Sequence, residues 1–313
     1  MKTWVSLLLS IALALGLCSC FSEKAPDGDG YSFTDSEGVR VTLTEKPVRV
    51  AVLFSSYAEV WQTAGGTVAV TVGDTVERGF APEGTPLVDA GAGHTAIDRE
   101  TLVALEPDFV IGTRDFAIQR EVCEFMRSVG VPSAVFSVES FEDYLYMLKI
   151  FTDILKTPER YEKFGTEVGE RIDAERERVG GSFAGKTMLF IRAGTSARSV
   201  KAKRRADHFA CAMIEELGFY NVANDAPELS DGISEEAVLS ADPCYIFVSF
   251  MGDEDAARAY VTELFKSGAY KSLSAVKEGR VIFLPKSLFH YKPCSRWDSA
   301  YKYIIDSLGG TGT

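Results

Sequence analysis

Two stretches of this chain align with each other without a gap: IDRETLVALEPDFVIG, residues 97–112, and ISEEAVLSADPCYIFV, residues 233–248. Ile97 pairs with Ile233, Glu100 with Glu236, Pro107 with Pro243 and Phe109 with Tyr245, all at one offset. Each copy opens on an N-capping residue, Asp98 or Ser234, whose side-chain oxygen suits the unpaired N–H groups of a first helical turn. Each then runs through a short helical pattern to an acidic residue before proline, where helix is disfavoured, and on into an apolar run of strand type. A chain that carries this unit twice is expected to build two similar α/β lobes. Glu100 and Glu236 occupy the same place on the first turn of the two helices. Taken alone the pair has two readings: an acid favoured by the helix N-terminus, or a matched display, one per lobe.

The rest of the chain alternates in the same way. YSFTDSEGVRVTL reads as a hairpin turning at Ser36-Glu37-Gly38. VRVAVLF is a buried-type strand, followed by a helical stretch from Tyr57 to Ala64 and a stop at Gly65-Gly66. TVAVTV, FVIG and SAVF are further strands. A long helical pattern then runs from Ser140 to Val179, with Leu145, Leu148, Phe151, Ile154 and Leu155 on its apolar face. After Gly180-Gly181 the alternation resumes: TMLFIR, a helix over Asp207–Leu217, YIFVSF, a helix over Asp255–Lys266, RVIFLP, and a last helix near Ser295–Leu308. Strands alternating with helices predict mostly parallel sheets covered on both faces. The expected layout is an N-terminal lobe over 31–139, a linking helix over 140–179 and a C-terminal lobe over 180–313.

The beginning of the chain has a different character. Lys2 precedes an apolar run from Trp4 to Leu17, the length of an export signal and short for a membrane span. The run ends in Leu17-Cys18-Ser19-Cys20. Leucine three residues before Cys20 and a small residue just before it resemble the bacterial lipoprotein signal, in which the last cysteine takes lipid. Residues 1–19 are thus expected to be removed, Cys20 to carry acyl chains that hold the protein at a membrane, and residues 20–30 to act as a flexible tether. No second long apolar run follows. A net charge of −12 disfavours nucleic acid as a partner. Cys123, Cys211, Cys244 and Cys294 show no CxxC or zinc spacing and are expected to be buried thiols rather than a disulfide framework. No GxSxG, P-loop or GxGxxG after a strand is present, so nothing here argues for an enzyme.

Five further stretches carry a resemblance: KPVRVAVLFSSYAEVWQTAGG, LVDAGAGHTAIDRETLVALEPDFVIG, AMIEELGFYNVAND, LSAVKEGRVIFLP and LFHYKPCSRWDSAYKYI. Together they are similar to the substrate-binding lipoproteins of ABC importers, in the class that serves iron–siderophores, haem and cobalamin, over residues 45 to 308. The resemblance implies two α/β lobes joined by one long helix, with ligand bound in the cleft between them. It implies one glutamate per lobe meeting arginines of the membrane permease, here Glu100 and Glu236. It also implies a monomer at the outer face of the cytoplasmic membrane, with a cytoplasmic ATPase behind the permease and no permanently bound cofactor.

In such folds ligands sit beyond the carboxyl ends of the strands. The loops expected there are Ser55-Ser56-Tyr57, Gly91–Thr95 and Thr113–Phe116 in the first lobe, with Arg192 onward, Phe250-Met251 and Leu288–Arg296 in the second. Their candidate ligand-binding residues are Ser56, Tyr57, His94, Arg114, Arg192, Arg198, Lys201, Phe250, His290, Tyr291 and Arg296. All three histidines, His94, His208 and His290, fall in or beside these loops. His290 and Tyr291 are the best candidates for direct iron ligation. RAGTSARSVKAKRR, residues 192–205, holds six basic residues and no acidic one in an acidic chain. Beside a cleft such a run attracts anions, and its arginines suit carboxylates. Arg192, Arg198 and Lys201 are the favoured contacts, ahead of Lys203, Arg204 and Arg205. Phe116 is expected in an apolar wall, Trp61 and Trp297 in cores. The ligand expected is an anionic ferric chelate or haem. Cobalamin is the alternative, and a free divalent metal would want three or four converging ligands.

Overall fold

The computed structural model describes residues 30–89, 96–226, 229 and 232–309. The leader, Cys20, His94 and the rest of the 90–95 loop lie outside them. Two antiparallel strands open the chain, β1 (Tyr31–Thr34) and β2 (Arg40–Leu43). They turn at the expected place, with Gly38 at a positive φ of 79°, which glycine adopts without strain. The buried Asp35 carboxylate accepts from Val135 N–H at 3.0 Å and fixes the hairpin to the first lobe.

That lobe is built on a three-stranded parallel sheet, β3 (Val50–Val52), β4 (Phe109–Thr113) and β5 (Ser133–Phe136), in that order. Its helices are α1 (Ser55–Thr63), α2 (Gly73–Glu77), α3 (Arg99–Ala104) and α4 (Ala117–Ser128). TVAVTV contributes only isolated bridges at Val70 and Thr71 rather than a full strand. The Gly65-Gly66 stop has a steric cause at its second residue: a Cβ on Gly66 would lie 2.2 Å from the Trp61 indole.

The stretch expected to be one helix from 140 to 179 is broken. α5 (Phe141–Leu155) starts on a capping box of Ser140 and Asp143 and ends at Lys156, whose φ is 58°. Thr157 then precedes Pro158, the first residue of α6 (Pro158–Tyr161), which passes through a wider turn over 162–166 into α7 (Glu167–Val179). The KTPER sequence carries the reason: proline lacks the N–H a continuing helix needs, while at a first turn that loss is harmless. α5 therefore packs on the first lobe, and the crossing is made by the chain from Pro158 to Val179.

The second sheet runs β10 (Val281–Phe283), β9 (Tyr245–Phe250), β6 (Thr187–Ala193), β7 (Lys201–Ala202), with β8 (Tyr220–Asn221) also on β6. All are parallel except β7. β9 is buried at every position, as a strand covered on both faces must be. Helices α8 (Phe209–Glu216), α9 (Glu235–Ala241), α10 (Glu254–Lys266) and α11 (Ser274–Lys277) cover it. A short helix α12 (Lys286–Phe289) then leads into α13 (Trp297–Gly309), which lies along α7. Ion pairs Arg171–Asp298 (2.6 Å) and Arg178–Asp306 (2.5 Å) line that seam.

The internal repeat holds at the level of backbone. α3 and α9, and β4 and β9, begin at equivalent positions, and the acids before proline, Glu106 and Asp242, both have positive φ, 49° and 33°. One apolar core runs from the first lobe through α5 and α13 into the second, with Trp61 and Trp297 fully buried in it as expected. Trp297 joins the lobes directly, its ring 6.2 Å from Phe141 and 5.7 Å from Phe209. Cys123, Cys211, Cys244 and Cys294 are free thiols, buried as expected except for Cys244, which is half-buried.

Candidate functional site

Both sheets point their carboxyl ends at the segment between α12 and α13, residues 290–296. This segment leaves the second lobe and lies across the first. Lys292 carries most of the crossing. Its ammonium meets Glu139 at 2.5 Å and Asp115 at 3.6 Å, both in loops after first-lobe strands, and its side chain is only 11% exposed. Cys294, at a φ of 54°, donates its S–H to the Ser56 carbonyl at 3.3 Å.

Beneath Tyr291 sits Arg78, just past α2. Its guanidinium lies 3.9 Å from the centre of the Tyr291 ring and 4.8 Å from that of Phe80. It donates to Ser55 Oγ at 2.8 Å, Ser56 Oγ at 3.3 Å and Glu59 Oε2 at 3.3 Å. Arg296 approaches the same carboxylate at 3.7 Å. Burial raises the Glu59 pKa from its ordinary value, against the pull of Arg296 and then Arg78. The first-lobe side of the cleft is therefore a set of cations already matched to carboxylates.

The second-lobe side differs. Arg192 is half-buried at the end of β6, in register with Lys201 on β7 and with Ser249 on β9. His290 follows α12 into the cleft segment, and its Nδ1 is buried with no partner among the described residues. Burial first, then Lys286 and Arg192, hold His290 neutral by lowering its pKa to about 4. A neutral imidazole with a free lone pair keeps the capacity to ligate iron.

The expected site residues divide accordingly. Arg192, Lys201, His290, Tyr291 and Arg296 come together around the cleft. Tyr57 does not: its side chain is fully buried, with its hydroxyl between the Phe136 carbonyl (3.2 Å) and Thr113 Oγ1 (3.3 Å). It follows β3 directly into a helix whose first turns face the core. Phe250 is also withdrawn, stacked on Phe283 in the outer core of the second lobe. Ser56 is buried beneath Arg78. Arg114 is exposed and paired with Glu37 at 3.1 Å. Arg198 lies exposed at the tip of a return in which β7 folds back on β6, so the basic run is partly an edge strand rather than a loop. Arg204 and Arg205 pair with acids of their own lobe. His208 is buried as the N-cap of α8, its Nδ1 accepting from Ala210 N–H, and burial takes its pKa down to about 3. Glu100 and Glu236 are exposed on the first turns of α3 and α9.

The sequence reading missed Arg78, Lys292, Ser249 and Glu59. Glu59 had a signal: an acid on the apolar face of SSYAEVW has to find cations. Arg78 follows no strand closely enough to be picked by position, and Lys292, although inside the expected Leu288–Arg296 loop, finds its acids only in loops more than 150 residues earlier. A pocket of about 240 Å³ lies elsewhere, lined by Phe141, Glu142, Arg176, Glu216 and Tyr301 among others, on the side of the crossing helix. The cleft is the better candidate, because there the unpaired polar groups converge.

The sequence profile of a family described as periplasmic binding protein matches residues 50–288. No curated protein matches the sequence. Several solved structures share the fold. A periplasmic heme-binding protein RhuT from Roseiflexus sp. RS-1, in apo form, is 20% identical at a TM-score of 0.66, over 85% of this chain and 99% of that one. Staphylococcus aureus SirA complexed with staphyloferrin B is 17% identical at 0.65, over 90% and 98%. An ABC-type Fe3+-hydroxamate transport system from Saccharomonospora viridis DSM 43017 is 20% identical at 0.67, over 89% and 99%. At these identities the likeness is one of fold.

Proposed function

This chain belongs to the periplasmic binding protein family, and on that footing we propose that it binds an iron chelate, a ferric siderophore or haem, outside the cytoplasm and hands it to an ABC permease. The observation that carries the reading is the cleft under residues 290–296. It presents an aromatic ring, Tyr291, on a bound guanidinium, a neutral imidazole, His290, with a free nitrogen, and an unneutralised arginine, Arg192. A bulky ring system or chelate with anionic groups matches that surface. The protein acts by binding and release, not by catalysis. His290 and Tyr291 are the proposed ligands of an iron centre. Proteins of this fold solved with or named for haem, staphyloferrin B and Fe3+-hydroxamate support the class of ligand.

Delivery uses the two lobes together. Glu100 and Glu236, exposed on equivalent helices, are the proposed contacts with permease arginines. Among the described residues no helix is long and apolar enough to cross a membrane. Attachment is assigned to a lipidated Cys20 and the tether after it, with the binding protein itself a monomer.

The deciding experiment is the absorption spectrum of protein purified from rich medium, followed by fluorescence titration with haemin, ferric siderophores, cobalamin, Zn²⁺ and Mn²⁺. A haem or ferric-chelate band with saturable binding is the expected result. A corrin band would move the cargo to cobalamin. Saturable binding of free metal alone would overturn the reading. Among the described residues no group of three or more His, Cys, Asp or Glu side chains is placed to hold such an ion.

A further inference from the structure

The basic groups on the first-lobe side of the cleft already have a carboxylate. Arg78 and Arg296 share Glu59, Lys292 has Glu139 and Asp115, and Arg114 has Glu37. Arg192 has none within 4 Å among the described residues, and neither has Lys201. These two face each other across the β6–β7 pair, at directly opposed positions. Like charges opposed across two strands repel, so this arrangement is costly until something negative lies between or above them. On the other flank of Arg192, in register on β9, is Ser249. It is 1% exposed and its hydroxyl is buried with no hydrogen-bond partner among the described residues. A buried hydroxyl left unpaired is itself destabilising. A half-buried guanidinium, an opposed ammonium and an orphaned hydroxyl on one face of one sheet lack the same thing, an oxyanion.

We infer that Arg192 and Ser249, with Lys201 behind them, form a seat for a carboxylate group of the cargo, and that this seat selects carboxylate-bearing ligands over neutral ones. The seat rests on the reading of the cleft as an iron-chelate site and adds to it the charge and orientation of the cargo. Because the cations on the first-lobe side of the cleft are matched to carboxylates while Arg192 and Lys201 on the second-lobe side are not, the acidic end of the ligand points to the second lobe. The planar fork of Arg192 donates to both carboxylate oxygens, and the Ser249 hydroxyl donates to one of them. Two kinds of ligand carry such a group: a porphyrin with propionates and a ferric siderophore with free carboxylates.

The test uses the full-length protein and two matched pairs of probes: haemin with its dimethyl ester, and ferric citrate with the uncharged ferrioxamine E. Tryptophan fluorescence gives the dissociation constants, and melting curves show that Arg192→Ala, Arg192→Lys and Ser249→Ala remain folded. Loss of a charge-assisted pair is expected to weaken the carboxylate-bearing member of one pair about tenfold to a hundredfold in Arg192→Ala, leaving its neutral counterpart unchanged. Ser249→Ala is expected to cost the same ligand about threefold to tenfold, and Arg192→Lys to fall between wild type and Arg192→Ala. The pair that responds identifies porphyrin or siderophore as the source of the carboxylate. Unchanged affinities in both alanine variants would overturn the seat while leaving the cleft reading intact, as would equal losses for both members of a pair. Wild-type protein that binds none of the four probes would refute the cleft reading itself. If Arg192→Ala melts early, Arg192→Gln and Ser249→Ala decide the outcome alone.

Discussion

Lys292→Met separates charge from packing in the segment that crosses the cleft. Methionine keeps an apolar stem of similar reach and removes the ammonium that now lies 2.5 Å from Glu139 and 3.6 Å from Asp115. Breaking a fully buried pair by deleting one partner costs about 3–5 kcal/mol, whereas exposed pairs contribute at most about 1 kcal/mol. The Lys292 side chain is 11% exposed, but Glu139 and Asp115 are 40% and 30% exposed. Water screens the acids that would be left behind, so the expected loss at pH 7.5 is about 1–2 kcal/mol, between those limits.

The loss should depend on pH in a stated direction. Burial raises the Glu139 pKa from its ordinary value, and Lys292 opposes the rise. A carboxyl whose folded pKa is raised binds its proton more tightly folded than unfolded. Its contribution is therefore fullest below the ordinary value, 4.5, and is lost as pH rises through the folded one. Without Lys292 the folded pKa climbs further and the loss extends to higher pH. Urea unfolding of wild type and Lys292→Met at pH 7.5 and pH 4.5 measures the difference, and the cost is expected to fall by at least half at the lower pH. An equal cost at both values would show that Lys292 acts through its stem, and no cost at pH 7.5 would remove it as a link between the lobes.

Cys20→Ala should leave an unlipidated precursor that no longer fractionates with membranes after processing; if Cys18→Ala does this and Cys20→Ala does not, the lipid is on Cys18. Glu100→Arg and Glu236→Arg should each impair uptake in cells while ligand affinity of the isolated protein stays near wild type, because reversal of an exposed contact charge acts on association; a large loss of ligand affinity would place them elsewhere. Trp297→Ala, at a fully buried position between Phe141 and Phe209, should lower unfolding free energy by about 3–5 kcal/mol in denaturant titration. A cost under about 1 kcal/mol there would show that the lobes do not share the core as described.

What could be read from the sequence depended on the distance over which each feature is decided. The repeated helix-stop-strand units are local: a cap, a proline and the first four buried residues of a strand lie within sixteen positions, and both copies folded at equivalent places, down to the left-handed acids before proline. The break at Lys156–Pro158 is equally local, and was passed over because the apolar spacing continues through it while Pro158 cuts the hydrogen bonding. The cleft is different. Position at a strand's carboxyl end gave Tyr57 and Phe250 the same standing as Arg192, but the face a side chain takes is set by sheet register and by what packs above it. Tyr57 and Phe250 fall on core faces. Nor does composition say which cations are already neutralised. Glu59 is drawn to Arg78 nineteen residues away and to Arg296 far beyond it, and such long-range pairings decide which cations, Arg192 and Lys201 among them, are still to be met. The run of six basic residues, 192–205, begins at the carboxyl end of β6. Pairing with carboxylates of their own lobe removes Arg204 and Arg205 from that run, and of the four cations left, Arg192 is the one in register with the unpartnered Ser249 hydroxyl, which is why the proposed seat rests on that pair and not on the run as a whole.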